Sequence, residues 1–358
     1  MQGRSKMRVL VVGPHWFGGW TESVGYALKQ LDCQVEVFYY NKTMTREAAK
    51  GISSLFGIAP TLFFRQLFWV MLMGREIDRH LVKSAIKFQP DLILVLKGEI
   101  ILPKTLRKLK KISNNPAVVN WWVDNPILQD DKNKWLIYPH CVPHYDHIFI
   151  FDRSYFKPLK ELRAKKVLFL PCAADPAKYH PENLSRHQKS RLSCNICFIA
   201  SYYNIRGELI SPFLSIPGLA IWGGGWSEFL KSKGIKNKNS IVRGEYLPVE
   251  DVNRAYQAAQ FVLNSHHSQS KRSGLNSRAF EILASGGAQL VDYIPEMEDL
   301  LKPGEDVIVY RTPEEGAFLA RELIKDLATR DKIARSGHER VMAEHTYMHR
   351  MQTILKSI

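Results

Sequence analysis

Met7-Arg-Val-Leu-Val-Val12 runs straight into Gly13 and Pro14, with Gly18 and Gly19 close behind. A short apolar run without polar alternation reads as a strand buried on both faces, and the glycines suit a tight turn into a helix. Downstream the theme repeats. A helix is expected over about 22–31, then strands over 35–39, 92–96, 118–123, 147–151 and 167–170, with helical stretches at 81–88 and 106–112. Strand and helix in alternation predict a parallel sheet wound on both faces.

Residues 175–193 are polar and carry Pro176 and Pro181, so they read as a linker. The alternation then restarts. Strands are expected over 196–200, 219–222, 241–242, 261–263 and 289–291, and helices over 208–213, 249–259 and 278–284, with closing helices from about 314. The strand over 219–222 ends in Gly223-Gly224-Gly225. The expected class is therefore α/β: two Rossmann-like, doubly wound parallel-sheet domains, 1–182 and 183–340, facing an interdomain cleft, and a terminal helix over 341–358 packing back towards the first domain. A length of 358 residues agrees with two domains, because single cores stop growing near ~250–300 residues.

The formal net charge is +15. Such a balance favours phosphate-bearing partners, whether small ligands or anionic lipid. Nucleic acid is not expected as a partner, since no RNA- or DNA-binding motif is present beside the basic runs 104–111 and 153–166. Five cysteines and a polar, basic start without a secretory leader fit a cytoplasmic setting. Cys194 and Cys197 have the spacing of half a zinc site, but no second pair follows, and strand alternation would send the two thiols to opposite faces. The apolar, aromatic stretch 55–73 is interrupted by Arg65 and Gln66 and is too short to span a bilayer. It suits a buried helix, or one lying in the inner membrane interface with Arg75 and Arg79 on lipid phosphates.

The segment 273–287, SGLNSRAFEILASGG, carries the clearest chemistry. Asn276 or Ser277 can cap a helix ending at Gly286, and the free N–H groups of its first turn suit a diphosphate. Arg278 sits in that turn, where it can fork onto phosphate oxygens as charge builds on a leaving group. Glu281, three residues on and on the same face, can accept from a ribose diol. Lys271 and Arg272 add charge upstream. The same residues also fit a plain capped helix with a surface Arg–Glu pair.

Other loops offer further candidates. In Gly244-Glu-Tyr-Leu-Pro248, backbone groups of Tyr246 and Leu247 can read a base edge, or the segment can be a simple turn before a helix. Gly18 and Gly19 can let an acceptor or phosphate approach the first helix. That turn is not the GxGxxG of a nicotinamide enzyme, and Asn41 stands where a ribose-binding acid would be needed. Asp124, closing Trp121-Trp-Val-Asp-Asn-Pro126, can serve as base for an acceptor hydroxyl or can cap the following turn. His15, His140 and His144 are weaker base candidates. His266 and His267 lack sequence-adjacent acids for a metal site.

From Gly274 to Met351 the sequence resembles the carboxyl-terminal domain of group 1 glycosyl transferases, in particular the spore-maturation CgeB-type branch, through GLNSRAFEILASGG, DYIPEMEDLLKPGEDVIVYRTPEE and GHERVMAEHTYMHRM. MRVLVVGPHWFGGW, PDLILVLKG, WWVDNP and FLPCAADPAKYHP extend the likeness over most of the chain. The resemblance implies a GT-B fold, an acceptor-side first domain, a donor-binding second domain, a nucleotide-diphosphate sugar as substrate, and no metal or other cofactor. It implies that Glu281 holds the ribose, that the phosphates lie on the turn containing Gly274, and that Arg206 reaches them from the loop after the domain's first strand. The family's usual lysine beside that arginine is missing, so Lys271 or Arg272 is expected to supply the second charge. Many relatives also carry a glutamate eight positions before Glu281, where this chain has Ser273. That departure leaves the donor-sugar contacts and the stereochemical outcome open.

The expected activity is sugar transfer to a hydroxyl on a glycan, a lipid-linked acceptor or a protein. An epimerase-type enzyme, or a non-catalytic protein that binds nucleotide sugars, is the alternative on the same fold.

Overall fold

The computed structural model describes residues 6–15, 19–42, 62–127, 137–235, 238–266 and 273–358. Gly18, His267, Lys271 and Arg272 lie outside them. The chain divides into two compact units, Met1–Pro171 with Tyr347–Ile358, and Cys172–Thr346.

The first unit runs β1 (Arg8–Gly13), α1 (Trp20–Gln30), β2 (Gln34–Tyr39), α2 (Leu62–Phe88), β3 (Leu92–Leu96), α3 (Pro103–Leu109), β4 (Ala117–Trp122), α4 (Tyr138–Cys141), β5 (His147–Ile150), α5 (Phe156–Glu161) and β6 (Val167–Phe169). Its strands form a parallel sheet in the order β2-β1-β3-β4-β5-β6. Every residue of β3 is buried, as expected for a central parallel strand covered on both faces. Trp121 and Trp122 are fully buried. Trp121 packs edge-on against Trp20 and donates its indole N–H to the Leu170 carbonyl, while Trp122 packs on Tyr138. Both tryptophans beside Asp124 are therefore core residues. α2 is a long helix that takes in the expected stretch 81–88 and much of 55–73. No helix among the described residues is long and apolar enough to cross a membrane.

The second unit runs α6 (Arg186–Leu192), β7 (Cys194–Ile199), α7 (Asn204–Ile210), β8 (Leu219–Trp222), α8 (Trp226–Ser232), α9 (Lys238–Ile241), β9 (Val242–Gly244), α10 (Val249–Ala258), β10 (Ala259–Asn264), α11 (Ser277–Ala284), β11 (Gln289–Asp292), α12 (Met297–Leu300), β12 (Ile308–Tyr310), α13 (Pro313–Leu323) and α14 (Leu327–Glu344). The sheet order is β12-β11-β10-β7-β8-β9. Counted within the unit, and read from β9, this is the Rossmann order 3-2-1-4-5-6, with its switch point between β7 and β10. Ile196, Phe198, Phe261, Leu263 and Leu290 form the sheet's share of the core, against Phe213, Trp226 and Tyr310.

Three sequence-based expectations change. The stretch 175–193 is not a bare linker: Ser185 and Gln188 close a capping box on α6, and Asn253 and Gln257 of α10 hold the backbone of His180 and Glu182. Packing of this segment onto α10 puts the unit boundary at Pro171 rather than at 182. The terminal segment α15 (Tyr347–Ser357) starts later than 341, because α14 continues to Glu344. It belongs to the first unit, where Met351 and Ile354 join the cluster containing Val24 and Leu28 of α1, and Arg350 Nε donates to the Pro171 carbonyl at 3.0 Å. Finally, the Cys194 and Cys197 thiols do not part company. Burial and a hydrogen bond with the Cys194 thiol push Cys197 up.

Candidate functional site

Open α/β sheets present ligand sites at the carboxyl ends of strands beside the switch point. In the second unit those ends are Ile199 and Asn264, and the loops that leave them carry most of the predicted donor residues.

The start of α11 is built by Asn276. Its side-chain oxygen accepts from the Ala279 N–H at 3.0 Å, making it the N-cap, so the choice between Asn276 and Ser277 falls on the former. Its amide also exchanges hydrogen bonds with Asn264 and donates to the Ser265 carbonyl. Asn264 in turn donates to Gln289, which donates to the Ala279 carbonyl. The Asn276 side chain is thus committed to fixing the helix on the end of β10. Ser277 and Arg278 hold the first two positions of the helix, whose N–H groups have no intrahelical acceptor and point at whatever lies before it. Gly274 is buried just upstream.

Arg278 reaches across the switch point. Its Nη1 donates to the Ile199 carbonyl at the end of β7, at 3.0 Å. Arg206, only 7% exposed on α7, donates from Nη1 to the Ser201 carbonyl at 2.7 Å and lies over the Tyr203 ring. Its Nε is buried without a hydrogen-bond partner among the described residues. Burial first, and then the charge of Arg278, bring Arg206 down to about 10, so its guanidinium remains charged near neutrality. Two like charges held together in a partly dry site favour an anion between them. Arg278 thus adds its charge beside Arg206; Lys271 and Arg272, expected to supply the second charge, lie outside the described residues.

Glu281 stands one turn behind Arg278. Burial raises its carboxyl to about 7, opposed by the charge of Arg278, a hydrogen bond from Ser277 and the charge of Lys178. Its charge also helps raise the buried Tyr256 of α10. Ser273 donates to Glu296 at 3.1 Å and so joins α11's approach loop to the segment before α12.

Two features were not legible in the sequence. Gly223, at φ 149°, lies so close to the end of β7 that a Cβ there would fall 2.1 Å from the Ala200 carbonyl oxygen. Only glycine lets β8 turn there. His266 is 2% exposed at the end of β10, with its backbone N–H and Nδ1 both on Asp292, the latter at 2.7 Å. Its Nε2 is buried and has no partner among the described residues. The acid that the sequence did not place near His266 comes from the neighbouring strand, 26 residues away.

In the base-loop candidate, Tyr246 is 62% exposed and Leu247 is buried, immediately after β9. β9 lies two strands from β7, about 10 Å at the usual strand spacing.

In the first unit Gly19 is the N-cap of α1, at φ 61°. Asp124 follows β4, accepts from the Asn125 N–H at 2.8 Å and faces Lys97 Nζ at 3.6 Å. His15 lies after β1 with Nε2 3.6 Å from Glu22, and its ring packs edge-on against Tyr39. His140 and His144 lie together elsewhere, in a groove with Arg107. Among the described residues, no three His, Cys, Asp or Glu side chains converge as metal ligands.

Residues 206–356 match the family described as glycosyl transferase-like. Over 271 residues, 73% of this chain and 80% of its relative, the sequence is 22% identical to spore protein CgeB of Bacillus subtilis. In sequence the chain is thus similar to glycosyl transferase-like proteins and to CgeB.

Solved structures agree on the architecture of this chain. Sucrose-phosphate synthase from Thermosynechococcus elongatus superposes with a TM-score of 0.65 at 11% identity, over 98% of this chain and 99% of that one. Anabaena HepE in complex with UDP-glucose gives 0.65 at 12%, with the same coverage. At such identities the likeness establishes the fold, which is GT-B.

Proposed function

We propose that the protein transfers a sugar from a nucleotide-diphosphate donor to a hydroxyl acceptor. The reading rests on one observation: Arg206 and Arg278 pair their charges at the β7/β10 switch point, against a capped helix start, with Glu281 one turn behind. Relatives of the same fold that carry UDP and UDP-glucose support it.

In this reading the pyrophosphate sits on the α11 amino end between the two arginines, next to buried Gly274. Glu281 accepts from the ribose hydroxyls, and the base extends towards Tyr246 and Leu247. His266 Nε2, its ring fixed by Asp292, hydrogen-bonds the donor. As the bond from the anomeric carbon to the leaving oxygen breaks, negative charge collects on the diphosphate. The fixed guanidiniums and helix N–H groups stabilise that charge without reorganising, which is neutralisation of the kind a metal supplies in other sites. Asp124 takes the proton of the acceptor hydroxyl, with Lys97 orienting its carboxylate.

The test is a thermal-shift screen with UDP, GDP, dTDP and CDP, followed by transfer assays with the matching labelled nucleotide sugar. Stabilisation by one diphosphate and loss of that response in Arg206→Ala support the reading. No response to any of the four, or an unchanged response in the variant, counts against it.

A further inference from the structure

The first unit has a second cationic site, built from residues that the donor reading does not use. A groove of about 610 Å³ opens between α2, α3 and α4. Arg75, Lys104, Arg107, His140 and His144 line it, and among the described residues no carboxylate does. The local fold forces these groups together. Gly74 lets α2 come down on Leu102, since a Cβ there would sit 2.5 Å from the leucine side chain. α3 starts at Pro103, one residue later, and carries Lys104 and Arg107 on successive turns.

Counter-charge is scarce in the groove. Asp78 lies 3.9 Å from Lys104 but only 2.6 Å from Lys108, which takes most of its charge. Arg75 and Arg107 have no carboxylate partner among the described residues. Arg107 Nη1 instead lies 3.4 Å from His144 Nε2. Burial, and then the charges of Arg107, Lys110 and Lys165, hold His144 below the usual imidazole range. Its ring is thus neutral near pH 7 and can accept from the guanidinium. Met71, Leu102 and Pro103 supply an apolar part of the lining.

We propose that this groove is a binding site for a phosphate-bearing ligand, with the phosphate on Arg75, Lys104 and Arg107 and the attached organic group against Met71, Leu102 and Pro103. Three convergent cations, of which only Lys104 has a carboxylate near it, match a phosphate dianion, and the forked guanidiniums suit its oxygens. The volume admits a phosphate with a substituent and is in the ordinary range for small-ligand sites. A soluble phosphate ester and a phospholipid headgroup present the same chemistry.

Glycerol 3-phosphate, titrated into the full-length protein while the His144 ring resonances are followed by NMR, tests the site locally. Saturable shifts at His144 are expected. Arg75→Gln with Arg107→Gln should weaken that binding by roughly tenfold or more. Lys157→Gln with Lys160→Gln removes the same charge from exposed positions of the same unit and should leave it unchanged. If the double arginine variant does not fold, Lys104→Gln takes its place, with a smaller loss expected. A second arm compares flotation with phosphatidylglycerol–phosphatidylcholine vesicles and with pure phosphatidylcholine. Groove-dependent flotation identifies the source as lipid, and a titration response without flotation identifies a soluble ester. An absent His144 response, or equal losses in the groove and control variants, overturns the proposal.

Discussion

Arg206 and Arg278 stand 72 residues apart in the chain, yet burial and the charge of Arg278 together draw Arg206 down to about 10. Such a pair is poorly placed unless an anion joins it. Arg206→Ala should therefore weaken diphosphate binding by about tenfold or more while leaving the thermal midpoint of the free protein unchanged or higher. Calorimetric titration alongside thermal unfolding checks both halves, and a large fall in the midpoint would show a structural role instead.

Arg278→Ala separates ground-state binding from transition-state stabilisation. The expected result is a loss of about 10²–10³ in kcat with a smaller change in donor affinity, because charge on the diphosphate grows as the bond breaks. Equal losses would assign the side chain to ground-state binding alone.

Glu281 links donor binding to pH. Its carboxyl is raised to about 7, so the folded chain holds this proton more tightly than the unfolded chain does. The free protein should lose stability as pH rises from the usual carboxylate range to about 7, with no further loss above. Glu281→Gln should remove that loss. Ribose hydroxyls donate to the ionised form, so affinity for a nucleotide sugar should rise as pH passes through about 7, and the glutamine variant should be flat. A pH-independent wild-type affinity would remove the ribose role.

Asp292 holds His266 by accepting from both its ring and its backbone N–H. Asp292→Ala leaves both donors buried without acceptors and should cost about 2–3 kcal/mol in denaturant unfolding. Asp292→Asn keeps an acceptor oxygen and should cost less. His266→Leu should weaken donor binding in either background, as calorimetry would register.

For Asp124→Asn, transfer should fall by at least ~10² while donor affinity is retained. Turnover close to wild type would reduce Asp124 to its hydrogen bond with Asn125.

Strands were legible because central strands of a parallel sheet are buried on both faces and so must be written as continuous apolar runs. The expected run over 92–96 is β3 to the residue. β12 was missed, although β6, equally short, was expected over 167–170. α6 was hidden by the charges and prolines around it, and its capping box shows only once the Ser185–Gln188 pair is seen closed. The helix start at Asn276 was legible as one of two options, since capping is a local interaction.

By itself the sequence determined the class of fold, the doubling of the domain and the helix that carries Arg278 and Glu281, because periodicity and capping depend on neighbours in the chain. Tertiary structure alone decided that Arg278 bonds to the end of β7, that Arg206 is its charged companion, and that His266 meets Asp292. Those pairings depend on which strands lie side by side. Strand order is set by crossovers packing on the whole sheet, which no local stretch of sequence encodes.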